Sequence, residues 1–167
     1  MLPILVDTSV MEFERPLSSW TPGEEPATSP EIYAYVADLD RWVLPRDRWN
    51  HAGHLVAGLV YLERYPLPEA IRRLRSAISG YNSATGTPNT ATSGYHETLT
   101  RWYLEEIDGW RGTPPVGDVA QRAETLLASP LAEPEAPLRS YRSETLHSPE
   151  ARRTWVAPDR DRVLQAS

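Results

Sequence analysis

Asn50-His51-Ala52-Gly53-His54-Leu55-Val56-Ala57-Gly58-Leu59-Val60-Tyr61-Leu62-Glu63-Arg64-Tyr65-Pro66 is the stretch on which the fold turns. Asparagine is a favoured helix N-cap, because its side-chain oxygen accepts an otherwise unpaired N–H of the first turn. Proline disfavours the helical conformation in the residue before it, so Pro66 ends the segment near Tyr65. Between these two signals Leu55, Val56, Leu59, Val60 and Leu62 make the segment apolar almost all round. A helix of that kind must be covered on most of its surface, so it belongs at the centre of a helical bundle.

The flanking sequence supplies the covering elements. Ser29-Pro30-Glu31 reads as a helix start, with serine as N-cap and proline at the first helical position. Ile32, Tyr35, Val36, Leu39 and Trp42 follow at helical spacing, up to Pro45. Pro68 opens a third helix with Ile71, Leu74, Ala77 and Ile78 inward and Arg72, Arg73 and Arg75 outward. Gly80 to Gly94 reads as a polar loop, and loops of that length in small domains more often carry function than not. Ser93 or Gly94 starts a fourth helix to about Asp108, burying Leu99, Trp102, Tyr103 and Ile107. A fifth helix runs from roughly Gly117 to Ala128, and a short one capped by Ser148 runs from Pro149 to about Trp155. The expected fold is all-α, a bundle of about five helices with extended proline-rich N- and C-terminal arms. Residues 1–29 form the N-terminal arm, 30–128 the helical domain and 129–167 a tail wrapping the bundle.

Composition narrows the chemistry. The chain has 167 residues, a formal charge of -6, no cysteine, and arginine as all seventeen of its basic residues. Disulfides, thiolate nucleophiles, cysteine-ligated metal centres and lysine Schiff bases are therefore excluded. The acidic balance, with no basic patch, argues against nucleic acid. No apolar run approaches membrane-spanning length, and Leu2-Pro3-Ile4-Leu5-Val6 is too short for a signal sequence, so a cytoplasmic protein is expected. The N-terminal arm suits packing on its own bundle or exchange with a neighbour, as in a homodimer.

Three of the four histidines, His51, His54 and His96, stand at two predicted helix entrances. His51 and His54 are three residues apart and share a helix face. In a first turn the helix dipole disfavours imidazolium and keeps the rings neutral, the form that binds a metal or accepts a proton. Gly58, Tyr61 and Tyr65 continue that face, and a mid-helix glycine costs about 1 kcal/mol against alanine. Space beside Gly58 is thus needed by a ligand or by a second helix. His96 is followed on its own face by Thr100 and Tyr103. If the second and fourth helices run parallel, the three imidazoles converge. Such a set suits a divalent transition metal (Zn, Fe, Mn or Cu), with Glu97, Asp38 or Asp40 completing it. Glu97 also has Arg101 four residues on, the spacing of a solvated ion pair. His147 reads as a surface residue.

The pattern Trp49-x-His51-x-x-His54-Leu55-x-x-Gly58-x-x-Tyr61-Leu62, followed by Gly94-Tyr95-His96-Glu97-Thr98-x-Thr100, resembles a family of small bacterial helical proteins of unknown function. The ending Tyr141-Arg142-Ser143 through Ala151-Arg152-x-x-Trp155-Val156-x-Pro158-Asp159 is similar to that family's ending, so the resemblance spans most of residues 32–160. It implies a shared fold and pocket and no particular reaction. The chain departs from the pattern by its longer N-terminal arm and by His147, where an aromatic or apolar residue is expected. Ile4-Leu5-Val6-Asp7-Thr8-Ser9-Val10 resembles the opening strand of PIN-domain ribonucleases. No buried parallel strand follows it, and the match is coincidental.

The leading expectation is a metal-dependent enzyme acting on a small molecule. His51, His54 and His96 would be ligands and Glu97 a further ligand or general base, with Tyr61, Arg101 and Tyr103 orienting an anionic or carbonyl substrate. Two alternatives stay open: a metal-free acid–base enzyme of isomerase, dehydratase or cyclase type, and a non-catalytic small-ligand-binding or scaffold protein.

Overall fold

Thr28 rather than Ser29 caps the first helix, α1 (Ser29–Asp40), because only Thr28 stands three residues before Glu31. The Thr28 hydroxyl accepts the Glu31 N–H and the Glu31 carboxylate accepts the Thr28 N–H (2.7 Å), a reciprocal cap that leaves Pro30 in the first turn. The helix also stops earlier than Pro45 would require. The Trp42 N–H donates to the Leu39 carbonyl and the Val43 N–H to the Asp38 carbonyl, each at 3.0 Å, with Trp42 at φ 60°. This left-handed closure takes Trp42 out of the buried stripe to which its spacing assigned it, and leaves it half exposed.

A computed structural model describes residues 16–112 and 116–161. The strand-like Leu2–Val6 piece and the ribonuclease-like Ile4–Val10 match lie outside those residues. The central helix α2 (His51–Arg64) begins where its sequence predicts, with the Gly53 N–H donating to Asn50 Oδ1 at 2.8 Å. Every residue from Leu55 to Leu62 is buried. α3 (Leu67–Ala84) runs through Gly80, so the following loop is shorter than its sequence suggests. A side chain at Gly80 would strike the indole of Trp42 at 2.3 Å, and the glycine lets the ring lie on the helix. α4 (Glu97–Trp110) starts after His96, and α5 (Val119–Leu127) is capped by Asp118 with Gln121 closing the box. Two 3-10 turns (Pro130–Ala132 and Ala136–Arg139) lead to α6 (Ser143–Leu146), which no sequence signal marked, and to α7 (Pro149–Arg153), capped by Ser148 as expected.

The architecture is all-α: five helices of substantial length and two short ones among the described residues. α2 packs against α1, α3, α4 and α5 in the main hydrophobic cluster. Contacts along α2 and α4 advance in the same sense. His51 meets Tyr103, Gly58 meets Leu104 and Ile107, and the Leu62 carbonyl accepts from Arg111 (2.7 Å). The two helices therefore run parallel. A Cβ at Gly58 would sit 3.3 Å from Ile107 Cδ1 and 3.4 Å from Leu104 Cδ2, so close helix approach accounts for that glycine.

The outer side of α4 carries a second cluster of Trp102, Ala136, Tyr141 and Leu146. Residues 141–160 form a strap over it. Buried Thr98 donates to the Thr154 carbonyl (2.8 Å) and accepts the Val156 N–H (3.1 Å), while Tyr141 donates to the Val156 carbonyl (2.7 Å). No helix among the described residues is long and apolar enough to cross a membrane.

Candidate ligand cavity

Because α2 and α4 are parallel, their N-terminal halves open onto one space of about 610 Å³, the size of a small-molecule site. α3 contributes Leu74, Ile78, Tyr81 and Asn82, and Gly58, Leu104 and Ile107 complete an apolar inner wall. Arg46 and Trp49 come from the turn before α2, Thr85, Thr87, Gly94 and Tyr95 from the loop before α4, and Arg152 from the strap. His51, His54 and His96 all line this space, as the parallel arrangement requires.

Their ring nitrogens are not equally available. His96 is the N-cap of α4 rather than a first-turn residue: its Nδ1 accepts the Leu99 N–H (3.2 Å), and its Nε2 donates to the Leu146 carbonyl (2.9 Å). Both nitrogens are engaged, and the imidazole ties the start of α4 to the strap. Burial, reinforced by the nearby Arg152 charge, lowers its pKa even though the Leu146 hydrogen bond opposes the shift. His51 Nε2 donates to the Ala132 carbonyl (3.1 Å), its ring edge-on to Tyr103, and leaves Nδ1 without a hydrogen-bond partner among the described residues.

His54 is the most open of the three. Its Nδ1 donates to the Asn50 carbonyl (2.8 Å) and its ring lies against Trp49, with centroids 3.9 Å apart. That bond fixes the tautomer and leaves a lone pair on Nε2, for which the described residues offer no partner. The residue keeps accessible surface even though protein atoms crowd around the ring. Burial, with a smaller push from His51, lowers the pKa to about 4, so the imidazole is neutral at neutral pH.

The other residues singled out by sequence divide. Tyr103 lines the cavity, and burial pushes its hydroxyl up to about 12. Glu97 does not line the cavity but an adjoining surface groove, which Tyr95 and Arg152 also border. It receives two hydrogen bonds from Arg75 (2.8 and 2.5 Å) and one from the Tyr95 hydroxyl (2.8 Å). Burial alone would raise its pKa, but these donors hold it below the usual carboxylate value. Arg101 pairs with Glu105 (2.8 Å) rather than Glu97, and its guanidinium stacks 4.3 Å over Trp155. The Tyr61 hydroxyl donates to Asp40, and Asp38 pairs with Arg41 (2.6 Å); none of these lines the cavity. Exposed His147 shares its Nδ1 with Ser143. Among the described residues, no three His, Asp or Glu side chains are grouped so as to hold a metal ion.

What sequence reasoning missed is the cavity's charge. No Asp or Glu lines it, yet Arg46 and Arg152 do. Among the described residues, the guanidinium of each of these arginines makes one hydrogen bond, to the carbonyls of Thr85 (3.2 Å) and Gly94 (2.8 Å), and no ion pair. No family model matches the chain, and neither a curated protein nor a solved structure matches it.

Proposed function

We propose that the cavity binds a small organic molecule and that His54 acts there as a proton acceptor, in a metal-free acid–base site. The observation that carries this is the state of His54, which lines the cavity: Nδ1 is committed to the Asn50 carbonyl and Nε2 has no hydrogen-bond partner among the described residues. Tyr103 lines the same cavity and supplies a hydroxyl, the partner that a proton-transfer reaction needs on its donor side. An imidazole depressed by burial is a weak base in an empty cavity. A negative charge placed beside it favours the imidazolium and restores its basicity, so the base strengthens when a suitable substrate arrives. Incubation with a panel of small keto acids in D2O tests the reaction class. Wild type is expected to catalyse exchange of the α-carbon protons with or without a chelator, and His54→Gln to lose that exchange. Exchange that survives His54→Gln, or none with any member of the panel, rejects the reading.

A second reading keeps a metal. His51 Nδ1 and His54 Nε2, three residues apart on α2 and both without a hydrogen-bond partner among the described residues, would hold a transition metal whose remaining ligands come from substrate or solvent. Near one metal per chain, lost in His54→Ala, is the result that would favour it.

A further inference from the structure

The structure assigns the cavity an organic anion as its occupant: a carboxylate on an apolar or aromatic body, with Arg152 as the anchor of the carboxylate. This rests on the cavity being a ligand site, and it adds the ligand's charge and the residue that recognises it. The chain carries 23 acidic against 17 basic residues, yet this cavity is lined by two arginines and no carboxylate. Along α2 to α5 the arginines find acids, whereas exposed Arg153 of α7, like Arg152, has no ion pair among the described residues. Arg72 and Arg73 share Glu69, Arg75 holds Glu97, Arg101 holds Glu105, Arg111 holds Asp108 and Arg122 holds Glu63.

Arg152 is different. It is half-buried, is fixed by the Gly94 carbonyl through Nη1, and has no ion-pair partner among the described residues. A guanidinium tethered by one nitrogen keeps its remaining donors for a planar acceptor, and a carboxylate matches that fork. The neutral His96 ring beside it offers no competing negative charge. In the same cavity Leu74, Ile78, Leu104 and Ile107 form an apolar wall that rewards an apolar body rather than a free inorganic ion. The same anion would supply the charge that raises the basicity of His54.

Binding of benzoate, phenylacetate and indole-3-acetate, each beside its uncharged amide, tests the assignment by ligand-observed NMR on the full chain. The carboxylates are expected to bind at least tenfold tighter than their amides. Arg152→Gln is expected to remove that preference, Arg152→Lys to keep part of it, and Arg153→Gln, on the exposed neighbour, to keep all of it. Because Arg152→Gln also gives up the Gly94 contact, its fold is checked by circular dichroism, and Arg152→Lys and Arg153→Gln carry the comparison if it unfolds. Amides binding as tightly as acids, or a preference unchanged in Arg152→Gln, overturns the anion assignment and leaves a ligand cavity standing. Binding of neither acids nor amides overturns the assignment and the cavity reading together.

Discussion

Gly53, between the two histidines of α2, is a sharp test of how the site is held. A Cβ built there would lie 2.0 Å from the Tyr35 hydroxyl and 3.1 Å from Tyr35 Cζ. Tyr35 is fully buried, edge-on to Trp20, and donates to the Arg48 carbonyl at 2.9 Å, so it has nowhere to retreat. Gly53→Ala should gain up to about 1 kcal/mol of helix propensity. Against this stand overpacking of about 1–3 kcal/mol and about 1–3 kcal/mol for breaking the buried Tyr35 hydrogen bond. Taken together, these terms give a net loss near 3 kcal/mol, a large part of the ~5–15 kcal/mol that holds a domain together. Tyr35→Phe alone removes one hydrogen bond and should cost about 1 kcal/mol. It also removes the atom that collides, so the double variant should be more stable than Gly53→Ala alone, with a coupling of about 2 kcal/mol between the sites. Urea unfolding of the four proteins at equilibrium measures this. Strict additivity, or a Gly53→Ala change below about 0.5 kcal/mol, would refute the clash and with it the account of how α2 is seated.

Other expectations follow from single contacts. His54 should show the Nδ1–H tautomer in long-range 1H–15N spectra and titrate well below the usual histidine range, near pH 4. Its folded pKa lies below its unfolded value near 6.5, so on acidification the unfolded chain takes up the proton first. Stability carried by neutral His54 is thus complete above about pH 6.5 and is lost as pH falls towards 4, and His54→Gln should flatten that part of the melting-temperature profile. Asn50→Ala removes the α2 cap and the hydrogen bond to the Pro22 carbonyl, and should lower unfolding free energy by about 1–2 kcal/mol in urea. Thr98→Val leaves the Thr154 carbonyl and the Val156 N–H without their partner; a loss of about 2 kcal/mol is expected. Hydrogen exchange in that variant should accelerate across residues 141–160 rather than in α2.

The helices were legible where a cap and a stripe agree. Asn50 and Pro66 bracket α2, and Ser148 marks α7, because each signal is local and satisfied by its own neighbours. Errors arose where a distant side chain took over. Trp42 carries the right spacing for the α1 stripe, yet the left-handed closure at Arg41–Trp42 lays it on Gly80, which in turn keeps α3 helical where glycine suggested a loop. His96 reads as a residue inside its helix, because nothing local announces that an imidazole, in place of Ser, Thr, Asp or Asn, caps it.

For the site, the histidines are visible as scarce residues at helix entrances, and their shared cavity depends on the second and fourth helices running parallel, which the sequence leaves open. The arginines are not visible in this way, because seventeen of them look alike in sequence. A distinction does exist. Arg41, Arg72, Arg73, Arg101 and Arg111 each have an acid three or four residues away and pair with it along their own helix. Arg46, Arg48, Arg64, Arg75 and Arg152 have none at that spacing. Each of these reaches across the fold: Arg48 to the Trp20 carbonyl, Arg64 towards Asp40, Arg75 to Glu97, Arg46 and Arg152 to loop carbonyls at the cavity. A guanidinium without a local acid is solvated or recruited from a distance, and in a chain with excess acid the half-buried ones that stay without an acid mark where a negative charge is to be supplied from outside. By that criterion Arg152 distinguishes this cavity from ordinary packing space, and the neutral imidazole of His54 on its wall makes the arriving anion chemically consequential.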